Sequence, residues 1–330
     1  IEEAGIHSGD SSCTLPPITL GPDVIAKVKE ATEAIARGTG VRGLINIQFA
    51  YVSENLFVIE ANPRASRTVP FVSKATGVQL AKAAVMIGLG KSIAELKAEG
   101  HLQNSMDGES LPQNTAIAVK AAVLPFSRFR TPEGVVVDSL LSPEMRSTGE
   151  VMGLDTHYDT AFAKAQAGAG SPLPTEGKVF VSVANHDKRN VIIYAKMLEQ
   201  LGFEIVSTGG TADVLRRNGV NSTVASKFAE ANGQHSIVDM VRNGEIDLIL
   251  NTPACVAARR AAYEIRAAAV SVGCPVMTTI SEFAAAVQAI TALREHSWGI
   301  ISLQEHNEYL HTASSGEQED SNQVREGELS

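Results

Sequence analysis

Apolar and polar positions alternate most clearly in two runs, Ile45-Asn46-Ile47-Gln48-Phe49 and Leu56-Phe57-Val58-Ile59-Glu60-Ala61-Asn62. A period of two predicts strands with one buried face. Ser53-Glu54-Asn55 is a polar break between them, and together the three segments predict a β-hairpin. With a three-residue loop centred on Glu54, Val52 faces Leu56, Gln48 faces Glu60 and Asn46 faces Asn62. A two-residue loop breaks that register. In the favourable register the polar groups share one face. Ile45, Ile47, Phe49, Phe57 and Ile59 then take the other, which is expected to pack on a core.

Helical spacing dominates elsewhere. Asp23 is placed to cap a helix running to about Arg37, with Val24, Ile25, Val28, Ala31 and Ile35 on one stripe and Thr39-Gly40 at its end. Residues 70–90 read as helical, with Leu80, Ala83, Ala84 and Ile87 in phase, and Thr115–Leu124 and Gly134–Val137 read as extended. A helix at Thr160–Ala167 leads into the Gly/Pro-rich stretch 168–177, the expected linker. Beyond it strands and helices alternate. The strands are Lys178–Val183, Phe203–Val206, Ile246–Leu250 and Val276–Met277; the helices are Asn190–Leu201, Thr211–Asn218, Ala254–Ala268 and Ser281–Arg294. This rhythm predicts an α/β domain, a parallel sheet covered by helices on both faces, with ligands beyond the carboxyl ends of its strands. The expected division is therefore 1–167, a linker at 168–177, a second domain at 178–311, and a polar, acidic, disordered tail at 312–330.

Composition narrows the partners. The chain has 330 residues, 44% hydrophobic and 20% charged, enough for two domains with real cores. A net charge of −9 without a basic run argues against nucleic acid. No apolar stretch has membrane-spanning length, which argues against a membrane role. Cys13, Cys255 and Cys274 lack CxxC spacing, so neither a disulfide framework nor a zinc site is indicated, and a reducing cytoplasm is expected. The chain opens at Ile1 without Met and reads as a piece of something longer.

Two polar constellations carry chemistry. Glu60 with the amide oxygens of Gln48 and Asn62 forms a set of hard oxygen ligands of the kind Mg²⁺ prefers, and Arg64 and Arg67 supply bidentate donors for phosphate or carboxylate. The same pattern also fits a hairpin whose polar face is simply solvated. The second constellation follows the strand ends: Asn185-His186-Asp187-Lys188, Ser207-Thr208-Gly209-Gly210-Thr211 and Asn251-Thr252-Pro253, with Lys227 between them. Glycines at a helix start free N–H groups for an anion, and the helix dipole, hydroxyls and lysines add to it. A phosphate pocket is one reading; a tight turn with Thr211 as a cap is the other. His186 is the histidine expected to function, whereas His101, His157, His296, His306 and His311 read as structural or surface residues.

Longer runs carry a resemblance. Residues 2–11 (EEAGIHSGDS), 41–49 (VRGLINIQF) and 59–77 (IEANPRASRTVPFVSKATG), then Val123-Leu124-Pro125-Phe126 and 143–153 (PEMRSTGEVMG), are similar to the carbamoyl-phosphate synthase large chain. The resemblance covers residues 1 to about 165 and continues more loosely to about 311. It implies the C-terminal lobe of an ATP-grasp domain, an antiparallel sheet with helices, followed by a doubly wound, methylglyoxal-synthase-like allosteric domain. The implied reaction makes carbamoyl phosphate from glutamine-derived ammonia, bicarbonate and two ATP, for arginine and pyrimidine synthesis. By motif match Gly5, Ile6, His7 and Ser8 would contact ATP, while Gln48, Glu60 and Asn62 would hold Mg²⁺ or Mn²⁺. Arg64 and Arg67 would be the catalytic pair that stabilises the transferring phosphoryl group. K⁺ is a further implied cation, and a glutaminase small subunit is the implied partner. Lys188, Thr208, Thr211, Lys227, Asn251 and Thr252 match positions that hold an effector phosphate, with UMP or IMP as candidates.

Three departures qualify the resemblance. Glu2 and Asp10 match acidic positions used for ornithine in some members, but the third such position is Ala121, beside Lys120, which argues against ornithine activation. The upstream half of the ATP site is absent, so this polypeptide is expected not to turn over alone. The glycine-rich aspartate motif of true methylglyoxal synthases has no counterpart around Gln234–Met240, which argues against lyase activity. A stand-alone nucleotide-sensing module and a different ATP-grasp ligase, such as a biotin-dependent carboxylase, are competing readings. Met145–Gly153 and the attached sensing domain argue against the latter.

Overall fold

A computed structural model describes residues 1–2, 5–102, 116–131, 136–226, 236–252, 256–295 and 298–314, the side chains of 256–261 and 309–314 excepted. The first elements are β1 (Cys13–Leu15), α1 (Pro22–Thr39), β2 (Asn46–Val52) and β3 (Asn55–Asn62). There follow α2 (Thr68–Thr76), α3 (Leu80–Gly88), α4 (Ile93–Ala98), β4 (Ile117–Val123), β5 (Gly149–Asp155) and α5 (Tyr158–Gly168). Next come β6 (Lys178–Ser182), α6 (Lys188–Gln200), β7 (Glu204–Ser207), α7 (Gly209–Arg217), β8 (Thr223–Val224) and α8 (Ile237–Arg242). The chain closes with β9 (Leu248–Asn251), α9 (Val256–Val272), β10 (Val276–Met277), α10 (Ile280–Glu295) and α11 (Leu303–Ser314). Of the expected tail, 312–314 finish α11 and 315–330 lie outside the described residues.

By its contacts the chain forms two compact units, Ile1–Thr14 with Ala116–Trp298, and Leu15–Thr115 with Gly299–Ser330. The first is the α/β unit. Its five-stranded sheet runs β10-β9-β6-β7-β8 with every pair parallel. Strand β6 is central, and its side chains divide between two cores. Val179 and Val181 join α5, α6 and α10 on one face, while Phe180 joins α8 and α9 on the other. Strands buried on both faces read as apolar runs, which is why this half follows the expected rhythm. The three-stranded sheet β1-β4-β5, antiparallel between β4 and β5, belongs to the same unit. The expected linker at 168–177 does not part the compact units. Ala161, Phe162 and Ala165 of α5 are buried in the core that holds Val179 and Phe283, and Leu173 of the Gly/Pro stretch is buried there too.

Gly153 of β5 is where that core is tightest. A Cβ there would fall 2.0 Å from the Ala161 carbonyl oxygen and 2.5 Å from the Ala165 amide nitrogen, both backbone atoms of α5.

The second unit holds the hairpin and helices α1 to α4 with α11. Pro22 opens α1, and Gly40 at φ +64° ends it. Asp23 is in the first turn rather than at the cap, since Gly21 takes that position. The helical region expected over 70–90 is two helices, because Gly77 turns left-handed at φ +72° after α2. Only residues 136 and 137 of the expected extended piece at 134–137 are described, and Val136 bridges Arg130.

The hairpin corrects two expectations. Its loop is two residues, Ser53 and Glu54, both at positive φ (+49° and +66°), and Val52 therefore pairs with Asn55, not Leu56. That would break the useful register, but β3 carries one extra residue. Phe49 pairs with Val58 and Gln48 with Glu60, leaving Ile59 as a bulge. Asn46 then meets Asn62 as expected. Phe57, opposite Ala50, shifts to the Gln48 face, and no residue of the expected apolar face is fully buried: Ile45, Ile47 and Phe49 are half-buried. Phe57 and Ile59 are 55% and 53% exposed, because a two-stranded ribbon has no further strand to extend a buried face.

Gly153→Ala is expected to destabilise the α/β unit by about 2 kcal/mol or more, the cost of overpacking against rigid backbone. A urea midpoint unchanged from the wild type would contradict this packing.

Candidate functional sites

At the carboxyl edge of β6, β7 and β9 the chain collects small polar groups. Ser182 and Asn251 are paired across β6 and β9, and Val181 pairs with Ser207, which places Thr208 beside Ser182. Thr208 Oγ1 lies 3.4 Å from Ser182 Oγ and 3.3 Å from Thr211 Oγ1. The Val183 N–H donates to Thr211 Oγ1 at 3.4 Å, and the Ala184 N–H donates to Thr252 Oγ1 at 2.9 Å. Thr211, Asn251 and Thr252 are buried. Helix α7 starts at Gly209 directly over this edge, without a side-chain cap on its N–H groups. Lys188 opens α6, and its Nζ lies 3.3 Å from where a Gly210 Cβ would stand. The glycine thus leaves room for the ammonium group at the helix N-terminus. Five of the six sequence-predicted effector residues therefore converge here; Lys227 lies outside the described residues. His186 is exposed, 3.4 Å from Asp187. Ser182 was absorbed by the strand expected to run to Val183, although its place at a strand end was the available signal.

The hairpin sets Gln48 opposite Glu60 and Asn46 opposite Asn62, so one carboxylate and three amides share a face. Glu60 is exposed and Gln48 and Asn62 half-buried, an accessible set of oxygens that suits a cation sharing its shell with water and phosphate. Among the described residues no cluster of three His, Cys, Asp or Glu side chains forms. Arg64 is exposed, its Nη1 donating to the Ala65 carbonyl at 3.1 Å, and Arg67 precedes α2 at its N-terminus.

Gly5, Ile6, His7 and Ser8 belong to the other compact unit. Their loop is pinned from several sides. The His7 N–H donates to the Ser142 carbonyl at 2.9 Å, and His7 Nδ1 accepts the Gly9 N–H at 3.0 Å. Buried Lys120 of β4 donates to the Ser8 carbonyl at 3.1 Å and lies 3.6 Å from Glu150. Asp10 accepts the N–H groups of Arg146 and Ser147 at 2.7 and 2.9 Å. That pinning ties 5–10 to 142–147, two of the runs that carry the family resemblance.

Glu2, Asp10 and Ala121 line one cavity of 280 Å³ with Ser139, Cys274, Thr278 and Glu282. The acidic groups there are already engaged by backbone: Glu2 accepts the Ser12 N–H at 2.7 Å, and Glu282 accepts the Thr278 N–H at 2.9 Å. Burial, and then the nearby Glu2 carboxylate, pushes the Glu282 carboxyl up to about 8.

A carboxyl held protonated in the fold but ionised when unfolded stabilises most below its ordinary value. That contribution is lost as pH rises toward 8, by up to about 1.4 kcal/mol per pH unit. Urea unfolding compared at pH about 5 and about 8 should show this slope in the wild type and a flatter one in Glu282→Gln. Equal slopes would contradict the buried, protonated carboxyl.

The family profile "Carbamoyl-phosphate synthase L chain, ATP binding domain" matches residues 2–96, and "MGS-like domain" matches 190–278. The carbamoyl phosphate synthase large chain of Kocuria rhizophila is 67% identical over 312 residues, covering 94% of this chain and 28% of that protein. That of Micrococcus luteus is 63% identical over 319 residues, 96% of this chain and 29% of that protein. The Streptomyces coelicolor protein is 57% identical over 313 residues, with 94% and 28% covered. The chain thus spans under a third of the length of these relatives. No described helix is long and apolar enough to cross a membrane. Over the residues matched, the chain belongs to the carbamoyl phosphate synthase large-chain family, carrying sequence of its ATP-binding domain and an MGS-like domain.

Proposed function

We propose that this chain contributes part of the carbamate-phosphorylating ATP site of a cytoplasmic, glutamine-dependent carbamoyl-phosphate synthase, together with its nucleotide-responsive regulatory domain. The observation that supports it most is the bulged hairpin, which sets Gln48 against Glu60 and Asn46 against Asn62. In this reading Glu60, Gln48 and Asn62 hold Mg²⁺ or Mn²⁺ against ATP phosphates, and Gly5 to Ser8 contact the nucleotide. The bound cation would neutralise phosphate charge. Arg64 and Arg67 donate to the phosphoryl oxygens as carbamate oxygen attacks the γ-phosphorus and ADP leaves, a transfer that asks for positioning and charge stabilisation rather than a nucleophilic side chain. A glutaminase subunit would supply the ammonia.

The functional boundaries follow the sequence rather than the packing: 1–167 serve catalysis and 178–311 serve control, although the two share a core. The edge formed by Lys188, Thr208, Thr211, Asn251 and Thr252, with Lys227, takes the phosphate of UMP or IMP. Buried hydroxyls, a free helix N-terminus and a lysine support that assignment.

Calorimetric titration of this chain with UMP, IMP and ATP–Mg²⁺ tests the regulatory half. Binding of a monophosphate that Lys188→Met abolishes is the expected result, and no binding by the folded wild type would contradict it. For the catalytic half, Glu60→Gln in the full-length large chain with its small subunit should slow carbamoyl phosphate synthesis about a hundredfold or more, the scale of losing one preorganised electrostatic partner. A near-normal rate would overturn the assignment of Glu60.

A further inference from the structure

Arg266, on α9, is fully buried at 0% exposure, and a buried guanidinium must have each of its donors satisfied. Its Nε and Nη2 donate to the two carboxylate oxygens of Asp138 at 2.7 and 2.6 Å, a bidentate pair spanning 128 residues of sequence. Its Nη1 donates to Asn251 Oδ1 at 2.8 Å. One turn earlier on α9, the Tyr263 hydroxyl donates to the Val136 carbonyl. Asp138 Oδ1 also accepts the Leu140 N–H at 3.2 Å. One helix therefore holds both the segment 136–140 and the last residue of β9.

The contact to Asn251 decides which way that amide faces. Arg has donors and no acceptor, so the atom it touches must be the amide oxygen. The Asn251 NH₂ group is thereby turned the other way, toward the Ser182 carbonyl at 3.4 Å and the polar edge of the sheet. With its oxygen engaged, Asn251 offers only N–H donors there. A group that offers only donors suits an anion and is poor at holding a cation.

We propose that Arg266 is a positioning residue for the phosphate pocket. It fixes Asn251 as a donor, and through its pair with Asp138 it couples occupancy of the pocket to residues 136–141, where Ser139 and Leu141 line the 280 Å³ cavity. This inference rests on the effector reading of that sheet edge. A phosphate drawing on the Asn251 N–H groups polarises the amide and strengthens its oxygen as an acceptor, which anchors the Arg266 guanidinium and so holds Asp138 in one position. The coupling runs both ways, so weakening the pair weakens phosphate binding.

The test uses the whole 330-residue chain and UMP and IMP as probes. Arg266→Lys loses the two-pronged pairing but keeps the charge, and Asp138→Asn keeps the shape and loses the charge. Each should weaken monophosphate binding about tenfold, the scale of one charge-assisted hydrogen bond. In the wild type, saturating monophosphate should also slow hydrogen exchange at the Leu140 amide, and in both variants that protection should be lost. Matching thermal midpoints of free variants and wild type exclude a general loss of fold; Asp138→Asn serves if Arg266→Lys unfolds. If the wild type binds neither probe, the effector reading fails and this inference with it. If the wild type binds and the variants bind equally, with the same Leu140 protection, the positioning role alone is overturned.

Discussion

Ser53 and Glu54 close the hairpin between β2 and β3 so tightly that Val52 meets Asn55, and from that turn an unbroken ladder would set Gln48 opposite Ile59, one residue short of Glu60. The extra residue at Ile59 cancels the offset within one strand. Because strand side chains alternate, a slip of one residue would have turned the acidic group to the opposite face from the amides. The oxygen set of the second unit therefore depends on a bulge, and bulges redirect side chains in this way. The same device leaves Phe57, Val58 and Ile59 exposed on a ribbon with no third strand.

The α/β unit answers a different constraint. Its central strand is covered on both faces, so polar groups can gather only where the strands end. There, buried hydroxyls and amides must find partners, and Ser182, Thr208, Thr211, Asn251 and Thr252 satisfy one another and the local backbone. Among the described residues no side chain caps the first turn of α7. An exposed helix N-terminus of this kind attracts anions, which is the physical ground for the effector proposal.

Much of this was legible in the residues. Short, mostly apolar segments of two to six positions, with helices between them, announce a parallel sheet because both faces of each strand are buried. The strand-end motifs Thr208-Gly209-Gly210-Thr211 and Asn251-Thr252 followed from that topology. The hairpin was legible as a hairpin, but Val58 and Ile59 are both apolar, so alternation alone cannot reveal which is extra. Short elements escaped as well. The strand β8 has two residues, and α4 and α8 have six each, held by capping boxes at Ser92 with Glu95 and at Ser236 with Asp239. Arg266 gives no signal in the sequence, since its partner Asp138 lies 128 residues away. Lys120 was equally opaque: its contact with Ser8 spans 112 residues and exists only once β4 packs beside that loop.

A divalent-cation site built by the bulged register from Gln48, Glu60 and Asn62 would bind manganese as well as magnesium. Manganese titrated into the ¹⁵N-labelled chain tests it directly, since a bound paramagnetic ion broadens the signals of nearby amides. Signal should be lost first at 46–48 and 60–62, and Glu60→Gln should abolish that loss. Broadening that begins elsewhere, or that survives the loss of the Glu60 charge, would contradict it.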